Sequence, residues 1–141
     1  MNAESVFQAA NLFGLAGWAV LVAGIVLKRS WLRDRLAGIY WPLAFSVGYA
    51  LTLSIGLGGE GGFSSLPAVR QLFMNDWALL AGWIHYLAFD LFIGAWIAGE
   101  TERTGLSKLI LIPILPLTFL FGPVGLLLHL AIRFVYRGGR A

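Results

Sequence analysis

The dominant pattern along the chain is three long apolar runs separated by short polar stretches, at about residues 6–27, 37–57 and 77–98. A helix needs about 20 apolar residues to cross the hydrocarbon core of a bilayer, and each run meets that length. Lipid offers no hydrogen-bond partner to a free backbone amide, so each run should be helical. With a fourth run at about 109–136, the pattern predicts an all-α integral membrane four-helix bundle in one domain over residues 1–141.

The fourth run differs from the others because Pro113, Pro116 and Pro123 interrupt it. Proline removes a backbone donor and clashes with the preceding turn, so we expect the fourth helix to be kinked at Gly122-Pro123. An alternative is that the chain turns back there as a re-entrant hairpin. We favour one kinked span, because the arm from 109 to 121 is short for a stable membrane hairpin.

Basic residues cluster in the short connections and predict the orientation of the spans. The connection between the first two runs holds the strongest cluster: Lys28, Arg29, Arg33 and Arg35. The positive-inside rule places this loop in the cytoplasm, together with the connection at 99–108. Four spans would place the C-terminal arginines outside, against the rule: Arg133, Arg137 and Arg140. A re-entrant fourth run would instead gather every basic cluster on one side.

The composition supports a membrane protein and excludes several kinds of chemistry. Of the 141 residues, 59% are hydrophobic and 12% are charged, with a mean hydropathy of +0.80. There is no cysteine, so disulfides, thiolate nucleophiles and Cys-ligated metals are excluded. No nucleic-acid signature is present. Because the start lacks a leader rich in Ser and Arg, we expect a multi-pass protein of a bacterial inner membrane.

The loop between the second and third runs contains a short amphipathic stretch. Leu66, Val69 and Phe73 recur at helical spacing, Ser65 can cap the helix, and Pro67 suits its first turn. Such a helix either lies on the lipid headgroups or covers the opening of a pocket. The residues leave both roles open.

Two titratable side chains, His85 and Asp90, interrupt the third apolar run. Such groups within a membrane normally face the bundle interior and have partners. At 100° per residue they lie about 140° apart around the helix, so they cannot pair along one face. Asp90 shares its face with Trp83, Tyr86 and Gly94, whereas His85 shares its face with Ala81, Gly82, Ala88, Phe89 and Phe92.

A second polar stripe follows the fourth run at spacings of three and four, and consists of Thr118, Gly122, Gly125, His129 and Arg133. Glycine in such a stripe permits either close helix approach or room for a ligand. His129 and Arg133 can also simply extend toward the interface. Further polar candidates on the first two runs include Asn11 and Tyr49.

These polar groups have a structural and a chemical interpretation. In the structural interpretation they form hydrogen bonds between helices, and each bond would contribute on the order of 0.5–2 kcal/mol to stability. Asp90 fits that role least well, because an asparagine would form similar bonds without a charge to desolvate. An uncharged carboxylic acid is also what a general acid requires. Metal chemistry is a poor fit for a chain with two histidines, so we expect no metal.

Two motifs resemble those of a known family. The string WIHYLAFDLF (83–92), followed across a basic loop by GPVGLLLH (122–129), is similar to the abscisic-acid-deficient-four family of membrane proteins. Plant members of that family are linked to the formation of neoxanthin from violaxanthin. The resemblance implies four membrane helices and a carotenoid-related role. The motif positions that it carries onto this chain are His85, Asp90, Pro123, Gly125 and His129.

The resemblance leads to a hypothesis about the reaction. Violaxanthin to neoxanthin is an isomerisation that opens an epoxide and removes a proton from carbon, so it needs an acid and a base but no redox cofactor. We expect Asp90 to be the acid and His85 or His129 the base, with no cofactor. The substrate would be a carotenoid, an apocarotenoid such as retinal, or another isoprenoid. The residues expected to bind it are Trp83, Tyr86, Phe89, Trp18, Asn11, Tyr49, Thr118 and Gly125.

Non-catalytic functions stay open beside this hypothesis. The many Trp and Phe residues also suit a membrane protein that binds carotenoid or retinal, or one that holds a biosynthetic enzyme in place. A small transporter is less favoured, because the polar residues are few and trace no continuous path. The expected partners are membrane lipid, the isoprenoid ligand and a second copy of the chain, with no nucleic acid.

Overall fold

The computed structural model describes residues 2–138, with side chains described through Tyr136. Within this range the chain is all-helical and contains no strand, which confirms the predicted all-α class. The α-helices, in chain order, are α1 (Ala3–Val26), α2 (Trp41–Gly56), α3 (Leu66–Leu72), α4 (Asp76–Arg103), α5 (Leu111–Phe121) and α6 (Pro123–Gly138). A π-helical segment, Trp31–Tyr40, runs directly into α2, and a 3-10 turn, Lys108–Ile110, precedes α5.

Among the described residues, three helical segments are long and apolar enough to cross a membrane: Ala3–Val26, Trp31–Gly56 and Asp76–Arg103. Each contains most of one of the first three apolar runs, so the pattern located these helices correctly. Helices α5 and α6 have 11 and 16 residues. At 1.5 Å per residue both are shorter than the hydrocarbon core, which is about 30 Å thick.

Polar side chains set the starts of several helices. Asn75 Oδ1 accepts from the backbone amide of Trp77 at 2.9 Å and so caps α4. The predicted amphipathic helix is present as α3, with Ser65 as its cap and Pro67 in its first turn. These contacts satisfy backbone donors that a helix leaves free at its N-terminus.

Helix α4 is the centre of the bundle, because both buried apolar clusters contain its side chains. Leu91 and Ile97 are fully buried in one cluster, and Ile84 is buried in the other. A glycine allows α1 to approach closely: a Cβ at Gly94 would lie 2.6 Å from the ring of Trp18. The side chains on the buried face of α4 are therefore held rigidly by the other helices.

The fourth apolar run breaks at Gly122-Pro123, as predicted, but the chain reverses there instead of kinking. Gly122 adopts φ 21° and ψ −82°, a conformation that ends α5 and that L residues rarely adopt. A Cβ at Gly125 would lie 2.8 Å from Thr118 Cα. In one continuous helix these positions would be about 10 Å apart. Helices α5 and α6 therefore form an antiparallel hairpin.

The far end of α6 confirms the reversal, since the Tyr136 hydroxyl donates to the carbonyl of Gly105 at 3.4 Å. This corrects the predicted four-helix bundle with a kinked fourth span. Three span-length helical segments and a short hairpin replace it. The physical reason is that glycine permits the turn, while each short helix buries its small residues against the other.

The reversal brings basic segments together at one end of the bundle, which we call the basic end. Arg33 pairs there with Glu102, and Arg133 Nη2 lies 3.0 Å from Glu100 Oε1. Among the side chains described, the basic residues at this end are Lys28, Arg29, Arg33, Arg35, Arg103, Lys108 and Arg133. The side chain of Arg137 and the whole of Arg140 lie outside the described residues. The hairpin thus removes the conflict with the positive-inside rule for Arg133.

Candidate functional site

An aromatic groove lies along α4 at the end of the bundle opposite the basic end. Its cavity is about 620 Å³ in volume, and residues of α1, α4 and the segment after α3 line it. The aromatic side chains of this groove are Phe7, Phe73, Trp83 and Tyr86, with Glu4 and Asp76 at its mouth. A long apolar molecule with some polar character fits such a lining.

Hydrogen bonding and ring contacts hold Trp83 in place within the aromatic groove. Its indole Nε1 donates to Asn11 Oδ1 at 2.8 Å. Its ring centroid lies 5.6 Å from that of Phe7 and 5.2 Å from that of Tyr86. Two residues predicted to bind substrate, Asn11 and Trp83, are therefore direct neighbours.

Asp90 lies one helical turn beyond Tyr86, at the middle of α4. The residue is 6% exposed, and Oδ2 has no hydrogen-bond partner among the described residues. The tip of the hairpin covers it: a Cβ at Gly122 would lie 2.2 Å from Asp90 Oδ1. The carboxyl thus lies against the hairpin, and it does not itself line the groove.

Tyr86 connects the groove, the hairpin and Asp90. Its hydroxyl donates to the backbone carbonyl of Phe119 at 2.8 Å, and it also interacts with the Asp90 carboxyl. A phenolic hydroxyl has one proton to donate. In this structure the hydroxyl proton is directed at the carbonyl of Phe119.

His85 lies apart from Asp90, as the helical spacing predicted. It is exposed on the outer face of α4, where its ring lies 4.6 Å from Phe89 and 5.7 Å from Tyr49. Phe89 itself is 55% exposed. His85, Tyr49 and Phe89 therefore form an outward-facing ring cluster that does not contact the groove.

His129 lies on α6, below the hairpin tip and toward the basic end. Its side chain is fully buried, its ring is nearly perpendicular to that of Trp96 at 5.7 Å, and neither ring nitrogen has a partner among the described residues. It does not extend to the interface, whereas Arg133, one turn further, pairs with Glu100. Among the side chains the structure describes, no three His, Asp or Glu residues are grouped to hold a metal.

The remaining predicted residues serve packing in this structure. Trp18 is 8% exposed and makes an edge contact with Phe119 at 5.4 Å. Thr118 is fully buried, and its hydroxyl donates to the carbonyl of Ile114 at 2.8 Å. Gly125 allows close helix approach rather than space for a ligand, because the Thr118 hydroxyl already occupies the position of its Cβ.

A family model described as ABA DEFICIENT 4-like matches residues 5–129, which is most of the chain. The chain belongs to the ABA DEFICIENT 4-like family. The match includes both motifs, 83–92 and 122–129, and ends at His129. It therefore confirms the resemblance predicted from the sequence. Neither the comparison with curated proteins nor that with solved structures gives a significant match.

Membership in the ABA DEFICIENT 4-like family relates this chain to the carotenoid and abscisic-acid pathway. The three long apolar helices agree with a membrane protein. The family match covers α1, α2, α4 and the hairpin as far as His129, and so includes the aromatic groove from Phe7 onward together with Asp90.

Sequence reasoning missed several contributors to this site. Phe7 was detectable, because it lies four residues before Asn11 on the same face of α1. Phe73 was noted only as part of the amphipathic stretch, yet it lines the groove. The carbonyl of Phe119 carries no sequence signal, since any residue supplies a backbone carbonyl.

Proposed function

We propose that this protein is a cofactor-free isomerase that acts by acid–base chemistry on a carotenoid or another long isoprenoid within the membrane. It would be a multi-pass protein of a bacterial inner membrane. The observation that carries the proposal is the buried Asp90 carboxyl, one helical turn from Tyr86 of the aromatic groove and with Oδ2 unpaired among the described residues. Family membership supports the carotenoid substrate class.

The aromatic groove suits a conjugated polyene. The faces of Phe7, Trp83 and Tyr86 provide apolar contact and can stabilise positive charge that develops on the ligand. The hydrogen bond that Trp83 donates to Asn11 holds the indole in one orientation, so the slot is formed before a ligand enters. An apolar wall also excludes water from a cationic intermediate.

Asp90 can supply both proton transfers of an isomerisation. Its carboxylic acid donates a proton to an epoxide oxygen or to a polyene carbon, which leaves a delocalised cation. The carboxylate then removes a proton from a neighbouring carbon, so the ligand gains one proton and loses one. Tyr86 lies beside this carboxyl and connects it to the groove. Asp90 does not itself line the groove but interacts with Tyr86, which does. His85 and His129 do not line the groove either, and their ring contacts are with Tyr49, Phe89 and Trp96, none of which lines it. We therefore assign the two histidines no contact with the ligand.

Asp90→Asn is the direct test, because it keeps the size and hydrogen bonding of the side chain but removes the exchangeable acid. The protein would be produced in a carotenoid-synthesising bacterial host, and also incubated in vesicles with violaxanthin or all-trans retinal. We expect the wild type to change the isomer composition seen by chromatography. Asp90→Asn should retain bound pigment and lose turnover. Continued turnover by Asp90→Asn would refute the acid role.

A pigment-binding protein without catalysis is the second candidate, favoured by the aromatic groove itself. It predicts that purified protein carries a polyene with an unchanged isomer composition. Trp83→Phe would then weaken binding, while Asp90→Asn would have no effect beyond stability. His85→Phe is the matched control for both candidates, since His85 contacts only the outer ring cluster.

A further inference from the structure

Buried polar groups continue from Asp90 toward the basic end, along the interface between α4 and the α5–α6 hairpin. Thr118, His129 and Thr101 are each 0% exposed. Within the described part of the chain, no hydrogen-bond partner reaches Asp90 Oδ2, the Thr101 hydroxyl or either nitrogen of His129. Protein interiors rarely leave such groups unpaired, and ordered water is their usual partner.

The hairpin determines the order of these groups. Asp90 lies against the tip at Gly122. Thr118 precedes Gly122 by four residues, or about 6 Å along α5 toward the basic end. The ring of His129 lies against Trp96, which is about 9 Å beyond Asp90 along α4.

The series ends at a charged pair. Glu100 lies about 6 Å beyond Trp96 on α4, and Arg133 of α6 is bonded to it at 3.0 Å. Arg133 has 21% of its side chain exposed, so this pair reaches solvent at the basic end. Thr101 adjoins Glu100 in sequence. We call the series Asp90, Thr118, His129, Thr101 and the Glu100–Arg133 pair the polar ladder.

We propose that the polar ladder is a water-filled proton path through which Asp90 exchanges its proton with the solution at the basic end. The proposal deepens the proposed function and rests on the role of Asp90 as proton donor. In each exchange one proton reaches the carboxyl and one leaves, so the charge of the site is unchanged. No bond of the ligand takes part.

Three features favour this direction of exchange. The groove beyond Tyr86 is aromatic, and the Tyr86 proton is already engaged by Phe119. Along the helix axes, Thr118 lies about 6 Å from Asp90, the level of His129 about 3 Å further, and Glu100 about 6 Å beyond that, and one or two waters can bridge each step. A neutral imidazole carries a donor and an acceptor, so His129 can pass a proton between two waters without remaining charged. Chains of ionisable groups within membranes commonly serve such relays.

The test follows the hydrogen–deuterium exchange of the Asp90 carboxyl in full-length protein in lipid nanodiscs. Infrared spectroscopy detects the carbonyl stretch of the protonated acid, and its absence in Asp90→Asn assigns it. His129→Phe keeps a buried ring but removes both nitrogens. After transfer to D₂O, we expect the Asp90 carboxyl of His129→Phe to exchange about tenfold or more slowly than that of the wild type, because the relay group is lost. His85→Phe is the matched control and should exchange as the wild type does.

A second pair of variants covers the case in which His129→Phe does not fold. Thr118→Val removes the hydroxyl, whereas Thr118→Ser keeps it, and only Val should slow exchange. Exchange at the wild-type rate in His129→Phe, or equal rates in the two Thr118 variants, overturns the path. These measurements need no ligand or turnover. The proton path can therefore be refuted while Asp90 remains the acid. Equally, the acid role of Asp90 can be refuted by the turnover assay while the path remains.

Discussion

Replacing Gly125 with alanine tests the hairpin, on which the position of Asp90 depends. A Cβ at Gly125 would lie 2.6 Å from the backbone nitrogen of Thr118 and 2.0 Å from its hydroxyl oxygen. Ordinary contacts begin at 3.4 Å. To lengthen the 2.6 Å contact to that distance, the two helices must move apart by about 0.8 Å. The hydroxyl cannot turn away freely, because it is fully buried and bonded to Ile114.

The expected magnitude follows from two opposing effects. Overpacking a tight interior site costs about 1–3 kcal/mol. Replacing a helical glycine by alanine regains about 1 kcal/mol through helix propensity. Because backbone atoms are the obstacle at Gly125, we expect a net loss of about 1–2 kcal/mol in the free energy of unfolding. Gly48 is the matched control: it also lies in a helix, and the nearest atom to its Cβ would be 4.0 Å away. Gly48→Ala should therefore be neutral or slightly stabilising.

Denaturant unfolding in detergent micelles, followed by circular dichroism and tryptophan fluorescence, measures both variants against the wild type. The same samples should show a larger separation between spin labels on α5 and α6 in Gly125→Ala. If Gly125→Ala is as stable as Gly48→Ala, the close contact between the two helices is refuted. The fourth run would then fit the continuous kinked span that its hydropathy suggests.

Three further predictions follow from the same geometry. The chain has no cysteine, so single cysteines can be introduced for labelling with a membrane-impermeant maleimide. Cysteines at 107 and 135 should react from one side of a vesicle, and a cysteine at 64 from the other side. Labelling of 107 and 135 from opposite sides would contradict the hairpin. Arg133→Gln should lower the free energy of unfolding by about 1–2 kcal/mol, because its partner Glu100 has only 3% of its side chain exposed. Arg103→Gln changes a side chain that is 74% exposed, so it should lower the same quantity by less than about 1 kcal/mol. Asn11→Leu frees the indole of Trp83 and should weaken pigment binding about fivefold, the equivalent of one hydrogen bond of about 1 kcal/mol; unchanged affinity in a fluorescence titration would count against the groove.

Features that depend on local periodicity were predictable from the sequence. The three span-length helices follow from the length of uninterrupted apolar sequence, because a bilayer imposes one requirement on every span. The separation of His85 from Asp90 follows from 100° per residue, and Asp90 is indeed buried while His85 is exposed. Both inferences depend only on residues that are close together in the sequence.

The hairpin and the groove were not predictable in the same way. The run at 109–136 has the length of one span, and its prolines suit either a kink or a turn. The contact between Gly125 and Thr118 decides between them, and that contact is tertiary. The distribution of basic residues was the better signal, because only the reversal places Arg133 beside Glu100. Likewise, Trp83 and Asn11 are 72 residues apart in sequence, and only helix packing brings them together.

The half-length hairpin also explains why a carboxyl and a tyrosine lie at the middle of α4. A helix that ends inside the bundle leaves backbone carbonyls without intrahelical partners, and Tyr86 satisfies one of them at Phe119. Asp90, against Gly122, therefore has a structural reason to be there as well as a chemical one. Asparagine and leucine separate the two reasons at this position. If Asp90 only supports the hairpin tip, Asp90→Asn should keep both stability and turnover, and Asp90→Leu should lose both together. If Asp90 transfers protons, Asp90→Asn should keep the stability of the wild type and lose turnover alone.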